Sequence, residues 1–185
     1  LDEVLQIIKR KNLSYTKDGA LWFKNTQFGD DKDRVLIKTN GDMTYFATDI
    51  AYHVHKFKHH DVLIDIWGAD HHDYAQRLQT ALKALGYDVE TRLQIHLVQF
   101  ANLSKSGQSI SMSTRSGKFY PIQDLVDEIG KDATRFFYLI KRKEHHLEFD
   151  IDQAGQENKN NPIYYIQYAH ARITKILKDL NGREI

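Results

Sequence analysis

Helical and strand-like hydrophobic patterns alternate over the first hundred residues of the chain. Residues 1–10 place their apolar side chains on one stripe, which predicts an amphipathic helix. A turn and strand are predicted at 18–23, a second strand at 34–38, and further extended structure at 44–46. Apolar positions then recur with helical spacing over 49–58, so a helix is predicted there.

The next segment predicts a strand, a helix and a second strand in succession. Residues 62–67 form a short, β-branched, apolar run, which is typical of a strand buried in a parallel sheet. From Tyr74 onward, apolar residues recur with helical spacing, and Gly86 lies just past the end of this predicted helix. A strand is predicted again at 93–100. This alternation fits one right-handed βαβ crossover.

The pattern changes after residue 100. A polar turn at 105–108 predicts a hairpin that leads into residues 111–117. Beyond residue 120 the chain is predicted to be helical throughout, with helices at 122–129, 133–140 and 162–180. Asn161 is a suitable N-cap for the last helix, because Pro162 then occupies the first helical position. An α/β part is therefore expected to give way to an α part somewhere between residues 120 and 160.

Composition narrows the class of protein. Hydrophobic residues make up 41% and charged residues 28%, which is ordinary for a globular chain. There is no cysteine, so disulfide frameworks and thiolate metal sites are excluded. No apolar run approaches the ~20 residues that a membrane-spanning helix needs, and the first ten residues lack the order of a signal peptide. A cytoplasmic protein without membrane contact is expected.

Charge and histidine content leave the partner open. Lys and Arg number 26 against 25 Asp and Glu, so any nucleic-acid surface must be a local patch. Among the ten histidines, His55 and His59 lie one helical turn apart, but no third ligand follows at a recognisable spacing. They are interpreted as surface residues, and no metal site is predicted. No Ser-His-Asp or P-loop pattern is present.

Five stretches carry a family resemblance, and they lie at Phe28–Leu36, Tyr45–His53, Trp67–His72, Asp132–Phe137 and Asn161–Arg172. Each is a weak signal alone. Together, in this order and at these spacings, they resemble the arginyl-tRNA synthetases over nearly the whole chain. The last stretch is the most diagnostic of the arginine enzyme within class I.

The resemblance implies an α/β fold class: the C-terminal half of a Rossmann-like class I synthetase catalytic domain, followed by α-helical segments. It places that half-domain at 1–120, a helical connecting region that contacts the tRNA stem at 121–158, and the first helix of the anticodon-binding domain at 159–185. The early class I signature, His-Ile-Gly-His in type, is not found in the sequence. The chain is therefore expected to be a fragment that lacks the first half of the sheet.

The resemblance also implies an activity. The complete enzyme condenses arginine with ATP, accompanied by Mg²⁺, and transfers the arginyl group to tRNA-Arg. It is expected to be a cytoplasmic monomer, whereas the fragment is expected to be inactive alone. An unpaired strand at the edge of its half-sheet predicts poor solubility or self-association.

Residues Gly68–His71 match the family's ATP-binding turn. Gly68 lets a nucleotide approach the backbone, and the Asp70 carboxylate accepts hydrogen bonds from ribose hydroxyls. The helix that starts here adds partial positive charge for an anion. The alternative is that Asp70 only caps this helix. His71 lies where some members place a glutamine near the amino acid, so its assignment to arginine or to ATP is open.

Tyr45 and Asp49 match the pair that holds the substrate arginine. A guanidinium presents a planar fork of donors that one carboxylate accepts in bidentate fashion, and tyrosine offers an aromatic face and a hydroxyl. The alternative is an ordinary aspartate in the first turns of a helix beside a packed aromatic residue.

The loop at Ser111–Arg115 aligns with the second class I signature, Lys-Met-Ser-Lys-Ser. Ser111 and Met112 are assigned to ATP binding, and Ser113, Thr114 and Arg115 to catalysis on the triphosphate. Ser111 and Thr114 stand where the signature has its two lysines. In this family a lysine near the first signature can replace the missing charge. The alternative is a solvated loop without a catalytic role.

Basic and aromatic residues toward the end of the chain suggest contact with tRNA. They are Lys141–Lys143, Tyr164, Tyr165, Tyr168, Arg172, Lys175 and Lys178. For the individual residues the preferred alternative is that the tyrosines pack a helical core and the lysines are solvated, whereas tRNA contact by the region as a whole is what the resemblance implies. Two other functions are considered. A catalytically silent tRNA-binding or regulatory paralogue would explain Ser111 and Thr114. A class I synthetase for another amino acid is disfavoured by Tyr45, Asp49 and the 161–172 stretch.

Overall fold

A computed structural model describes residues 2–110 and 119–181, and the chain divides into two compact units, Leu1–Val98 and Gln99–Ile185. The elements of the first unit are α1 (Asp2–Arg10), β1 (Ser14–Lys17), β2 (Ala20–Phe23), a 3₁₀ turn (Asn25–Phe28), β3 (Arg34–Ile37), α2 (Tyr45–His59), β4 (Leu63–Gly68), a 3₁₀ turn (Ala69–His71), α3 (His72–Leu85), α4 (Val89–Arg92) and β5 (Leu93–Val98).

Two small sheets organise the first unit. Strands β1, β2 and β3 form an antiparallel sheet, and β4 pairs with β5 in parallel from Leu63 opposite Leu93 to Gly68 opposite Val98. Helix α3 connects the parallel pair, so the predicted strand–helix–strand unit is confirmed. Gly86 ends α3 in the left-handed conformation, with a φ of 95°, as its position predicted.

One core joins both sheets to the helices, and its fully buried side chains include Ile8, Phe23, Leu36, Ile50, Leu78 and Leu82. Strand β4 buries Leu63 and Asp65 toward this core, but Ile64 is 60% and Ile66 is 71% exposed. The prediction that this strand is buried in the manner of a central strand is therefore wrong for this chain. Nothing among the described residues covers its other face.

The start of α2 differs from the sequence prediction. Extended structure was expected at 44–46, but α2 begins at Tyr45. The Thr44 hydroxyl accepts a hydrogen bond from the Ala47 amide at 3.3 Å, so Thr44 is the N-cap and outweighs the strand preference of the two aromatic residues that follow. Tyr45 and Asp49 consequently lie on one helix, one turn apart. Strand β1 was not predicted at all.

The second unit contains β6 (Ala101–Lys105), β7 (Gln108–Ser109), α5 (Ile122–Ile129), α6 (Lys131–Leu139), β8 (Leu147–Asp150), α7 (Ile151–Ala154) and α8 (Pro162–Asn181). The predicted hairpin is confirmed, and its turn places Ser106 and Gly107 at positive φ. Strand β8 pairs in parallel with β6.

The prediction of helix throughout the chain beyond residue 120 is wrong at β8. Leu147 and Phe149 are buried and alternate with exposed Glu148 and Asp150, so the strand has the two-residue period of a sheet with one covered face. The functional division near residue 120 stays a prediction.

Helix α8 follows the predicted start closely. The Asn161 carboxamide oxygen accepts from the Ile163 amide at 3.2 Å, and its NH₂ group donates to the carbonyls of Ala154 and Gln156. The apolar side chains along the helix are exposed within this chain, namely Ile166, Ile173, Ile176, Leu177 and Leu180. None of the described helices is long and apolar enough to cross a membrane.

Replacing Arg92 by alanine should loosen the end of α2. The Arg92 guanidinium donates at 3.1 and 2.7 Å to the carbonyls of Phe57 and His60, which the helix leaves unpaired at its end, and at 2.7 Å to the Asp61 carbonyl just beyond it. Losing these bonds should cost about 1–3 kcal/mol, measured as reduced hydrogen-exchange protection of α2. Lys83→Ala, which removes only an exposed ion pair, is the control. Equal effects of the two changes would contradict this role.

Candidate functional site

Helices α2 and α3 meet at a carboxylate–phenol contact near the carboxyl end of β4. Asp49 projects from the second turn of α2, and Tyr74 from the first turn of α3. The Tyr74 hydroxyl donates a short hydrogen bond to Oδ2 of Asp49. Asp49 remains partly exposed, so its other lone pairs stay accessible. The contact fixes the carboxylate where the two helices face each other.

An aromatic cluster surrounds this contact. The ring of Tyr74 lies 5.9 Å from that of Trp67 and 6.2 Å from that of His71, and the last two rings are 6.2 Å apart. The Arg77 guanidinium lies 5.5 Å from the Tyr74 ring centre, within cation–π range. These rings connect the Asp49 carboxylate to the turn that follows β4.

Tyr74 is held in its donor form. Burial of its ring and the bond to the Asp49 carboxylate both raise the pKa of Tyr74 well above its usual value. Its hydroxyl therefore keeps its proton at neutral pH and remains a hydrogen-bond donor to Asp49.

A polar triad of His53, Lys56 and Asp65, referred to below as the buried triad, ties α2 to β4 one turn beyond Asp49. His53 is 3% exposed and Asp65 is 6% exposed. The Asp65 carboxylate accepts from His53 Nε2 at 2.6 Å and from Lys56 Nζ at 2.8 Å. Burial acts to raise the pKa of Asp65, but these two donors outweigh it and lower the pKa below its ordinary value.

The other ring nitrogen of His53 faces Asp49. His53 Nδ1 lies 2.8 Å from the Asp49 main-chain carbonyl, which can only accept. Both ring nitrogens thus lie against oxygen atoms, one of Asp49 and one of Asp65. Asp49 is consequently held at its carbonyl by His53 and at its carboxylate by Tyr74.

Tyr45 is the first residue of α2 and is 88% exposed. It lies one turn before Asp49, so the two side chains share a face of the helix. In this chain Tyr45 does not pack as a core aromatic residue. Its ring is available beside the carboxylate.

Gly68, Asp70 and His71 form the turn between β4 and α3. Gly68 has an ordinary φ of −64°, so no backbone strain requires a glycine here. Asp70 and His71 are exposed, with 3.8 Å between Asp70 Oδ2 and His71 Nε2. The N-cap residue of α3 is His71, without a side-chain capping bond. The alternative in which Asp70 caps α3 therefore does not match the geometry.

The predicted signature loop, Ser111, Met112, Ser113, Thr114 and Arg115, lies outside the described residues. Its flanks are joined through one carboxylate. Glu128 accepts from Lys105 at 2.6 Å, before the loop, and from the Tyr120 hydroxyl at 2.5 Å, after it.

The arrangement of the histidines and carboxylates bears on metal chelation. Across residues 2–110 and 119–181, no group of three or more His, Cys, Asp or Glu side chains could hold a metal ion. The rings of His55 and His59 are 4.5 Å apart on the exposed side of α2.

The tyrosines of α8 are accessible in this chain. Tyr165 and Tyr168 are exposed, as are Arg172, Lys175 and Lys178 on the same helix. The interpretation in which these tyrosines pack a helical core is not seen within the described residues.

Sequence reasoning missed three residues of the site. Tyr74 counted only as an apolar position of α3, and Asp65 only as part of a strand. His53 was noted only within a family stretch. A polar residue at an inward strand position, such as Asp65, was the one available signal, because a buried charge needs partners.

The chain was compared with known proteins. The family model described as tRNA synthetases class I (R), catalytic domain, matches residues 1–178. An arginine–tRNA ligase of Thioalkalivibrio sulfidiphilus is 55% identical over 170 residues, which are 91% of this chain and 29% of the relative. Another, from Halorhodospira halophila, is 52% identical over 184 residues, which are 99% of this chain and 31% of the relative.

The chain is also similar to solved structures of arginyl-tRNA synthetases. A crystal structure from Campylobacter jejuni assigned as an arginyl-tRNA synthetase has a TM-score of 0.87 and 41% identity, covering 98% of this chain and 40% of that one. The Thermus thermophilus arginyl-tRNA synthetase has 16% identity and a TM-score of 0.76, so it supports the fold alone. The superposition covers 100% of this chain and 41% of that one. The chain therefore spans less than half of each relative.

Proposed function

The chain belongs to the class I tRNA synthetase (R) catalytic-domain family, and we propose that it is part of an arginine–tRNA ligase. The complete enzyme would activate arginine with ATP and transfer it to tRNA-Arg. The observation that carries this proposal is Asp49, held at its main-chain carbonyl by His53 and at its carboxylate by Tyr74, and still partly exposed beside exposed Tyr45.

Asp49 and Tyr45 would bind the substrate guanidinium. A carboxylate accepts two parallel N–H bonds from a guanidinium, which a lysine ammonium cannot supply in the same plane. Tyr45 would lie against the planar cation. The fixed position of Asp49 reduces the entropy that would otherwise be lost when the carboxylate is ordered on binding.

Gly68 and Asp70 would bind ATP, since they follow the carboxyl end of a parallel strand, where α/β sheets bind ligands. Asp70 would accept from ribose hydroxyls, and the uncapped start of α3 would face negative charge. His71 contacts the Tyr74 and Trp67 rings. It would lie at the boundary between the amino acid and the nucleotide.

The loop residues retain their proposed roles: Ser111 and Met112 in ATP binding, and Ser113, Thr114 and Arg115 in stabilising the triphosphate. Mg²⁺ would neutralise phosphate charge when bound with ATP. The described residues offer no cluster of ligands for it, so no step of this proposal depends on a protein-bound metal.

For tRNA, the exposed tyrosines and cations of α8 offer stacking surfaces and phosphate contacts. We place the complete enzyme in the cytoplasm as a monomer. The alternative is a catalytically silent tRNA-binding paralogue, and it is favoured by one observation, the replacement of both signature lysines by Ser111 and Thr114.

Arginine-dependent ATP–pyrophosphate exchange tests the proposal. The isolated chain should show no exchange. A chimaera in which this chain replaces the matching 184 residues of the Halorhodospira halophila ligase should show exchange that depends on arginine and is supported by tRNA. The unmodified ligase is the control. A folded chimaera that binds tRNA-Arg without exchange would favour the silent paralogue.

A further inference from the structure

The hydroxyl of Tyr74 acts on the carboxylate that we assign to arginine. We propose that Tyr74 is a positioning residue: its hydroxyl occupies one oxygen of Asp49 and turns the remaining edge of that carboxylate toward the substrate guanidinium. This inference rests on the proposed function, and it adds a residue that lies outside Gly68–His71 and outside the Tyr45 and Asp49 pair.

The stoichiometry of hydrogen bonds supports this role. An ionised carboxylate offers about four lone-pair sites, and a bidentate guanidinium uses two of them. Tyr74 takes a site on Oδ2, so a pair of sites stays free on the partly exposed carboxylate. Without the hydroxyl, the carboxylate could rotate about its last single bond, and the planar match to the guanidinium would no longer be set in advance.

The ring that carries the hydroxyl is itself fixed. Trp67 near the end of β4 and His71 in the turn that follows contact the Tyr74 ring, and the Arg77 guanidinium lies over it. Since the Tyr74 hydroxyl retains its proton at neutral pH, it can serve only as a stable donor toward Asp49, not as a base. The same rings link the arginine side of the site to the proposed ATP turn.

The test is Tyr74→Phe in the chimaera, which keeps the ring and removes only the hydroxyl. A hydrogen bond to a charged group is worth about 1.5–3 kcal/mol, so the KM for arginine in pyrophosphate exchange should rise at least about tenfold. The kcat and the KM for ATP should stay within about twofold. Tyr87→Phe is the matched control, because Tyr87 is half-buried in the same unit and its ring stacks on Phe57. It should leave all three constants unchanged.

A double-mutant cycle separates positioning from simple packing. If Tyr74 acts through Asp49, Tyr74→Phe should change the KM for arginine less than about twofold once Asp49 is alanine. Additive effects, an unchanged KM in the single variant, or equal rises in the constants for arginine and ATP would each overturn the role of Tyr74. An unsubstituted chimaera without exchange would instead count against the proposed function.

Discussion

Replacing Asp49 by alanine in the full-length chimaera should raise the KM for arginine by about 30-fold or more. The change removes the carboxylate opposite the substrate guanidinium and leaves the bound cation without its partner. Truncating one member of a buried, hydrogen-bonded charge pair costs about 2–5 kcal/mol, which spans about 30-fold to several thousandfold in affinity. The KM for ATP should change little, because Asp49 lies on α2 and the proposed nucleotide turn follows β4.

Pyrophosphate exchange at varied arginine and at varied ATP measures both constants. Asp61→Ala is a matched control, since it removes an exposed carboxylate just beyond the other end of α2. Asp70→Ala should have the reciprocal effect and raise the KM for ATP more than that for arginine. Equal rises in both constants for Asp49→Ala would contradict the assignment of this residue to the arginine pocket.

Local sequence signals specified those parts of the fold that depend on short-range patterns. The β4–α3–β5 unit was predictable because its strands are short apolar runs, α3 carries a helical apolar stripe and Gly86 marks the end of α3. Strand β8 was missed because four residues between helices carry little signal, and its partner β6 lies more than 40 residues away in the sequence. A pairing of that kind is decided by tertiary contacts.

The sequence likewise predicted some residues of the candidate site but not the contacts between them. Tyr45, Asp49 and Gly68–His71 were found by family resemblance, which points to residues but not to their contacts. The bond from Tyr74 to Asp49 joins residues 25 positions apart on different helices. His53 and Asp65 meet across α2 and β4. Such contacts depend on how the helices pack on a sheet, so a local sequence pattern does not predict which side chains meet.

The buried triad leads to the second large expected effect. Asp65→Ala should destabilise the α2–β4 region by about 3–5 kcal/mol, because His53 and Lys56 would lose the carboxylate that they share. Hydrogen exchange of the α2 and β4 amides in the chimaera measures the change. Glu3→Ala is the control, since the Glu3–Lys58 pair is exposed and screened by solvent, so its loss should leave the exchange of these amides nearly unchanged.

The pH dependence of this effect has a definite sign. Because the folded pKa of Asp65 is lowered from its ordinary value of 3.8, its contribution is fully present above that value and is lost as the pH falls through the lower, folded pKa. The stability difference between the unsubstituted chimaera and Asp65→Ala should therefore be largest near neutral pH and shrink in acid below 3.8. A difference that is small at neutral pH, or that grows in acid, would mean that the triad does not hold α2 against β4. In that case the fixed position of Asp49 would depend on Tyr74 alone.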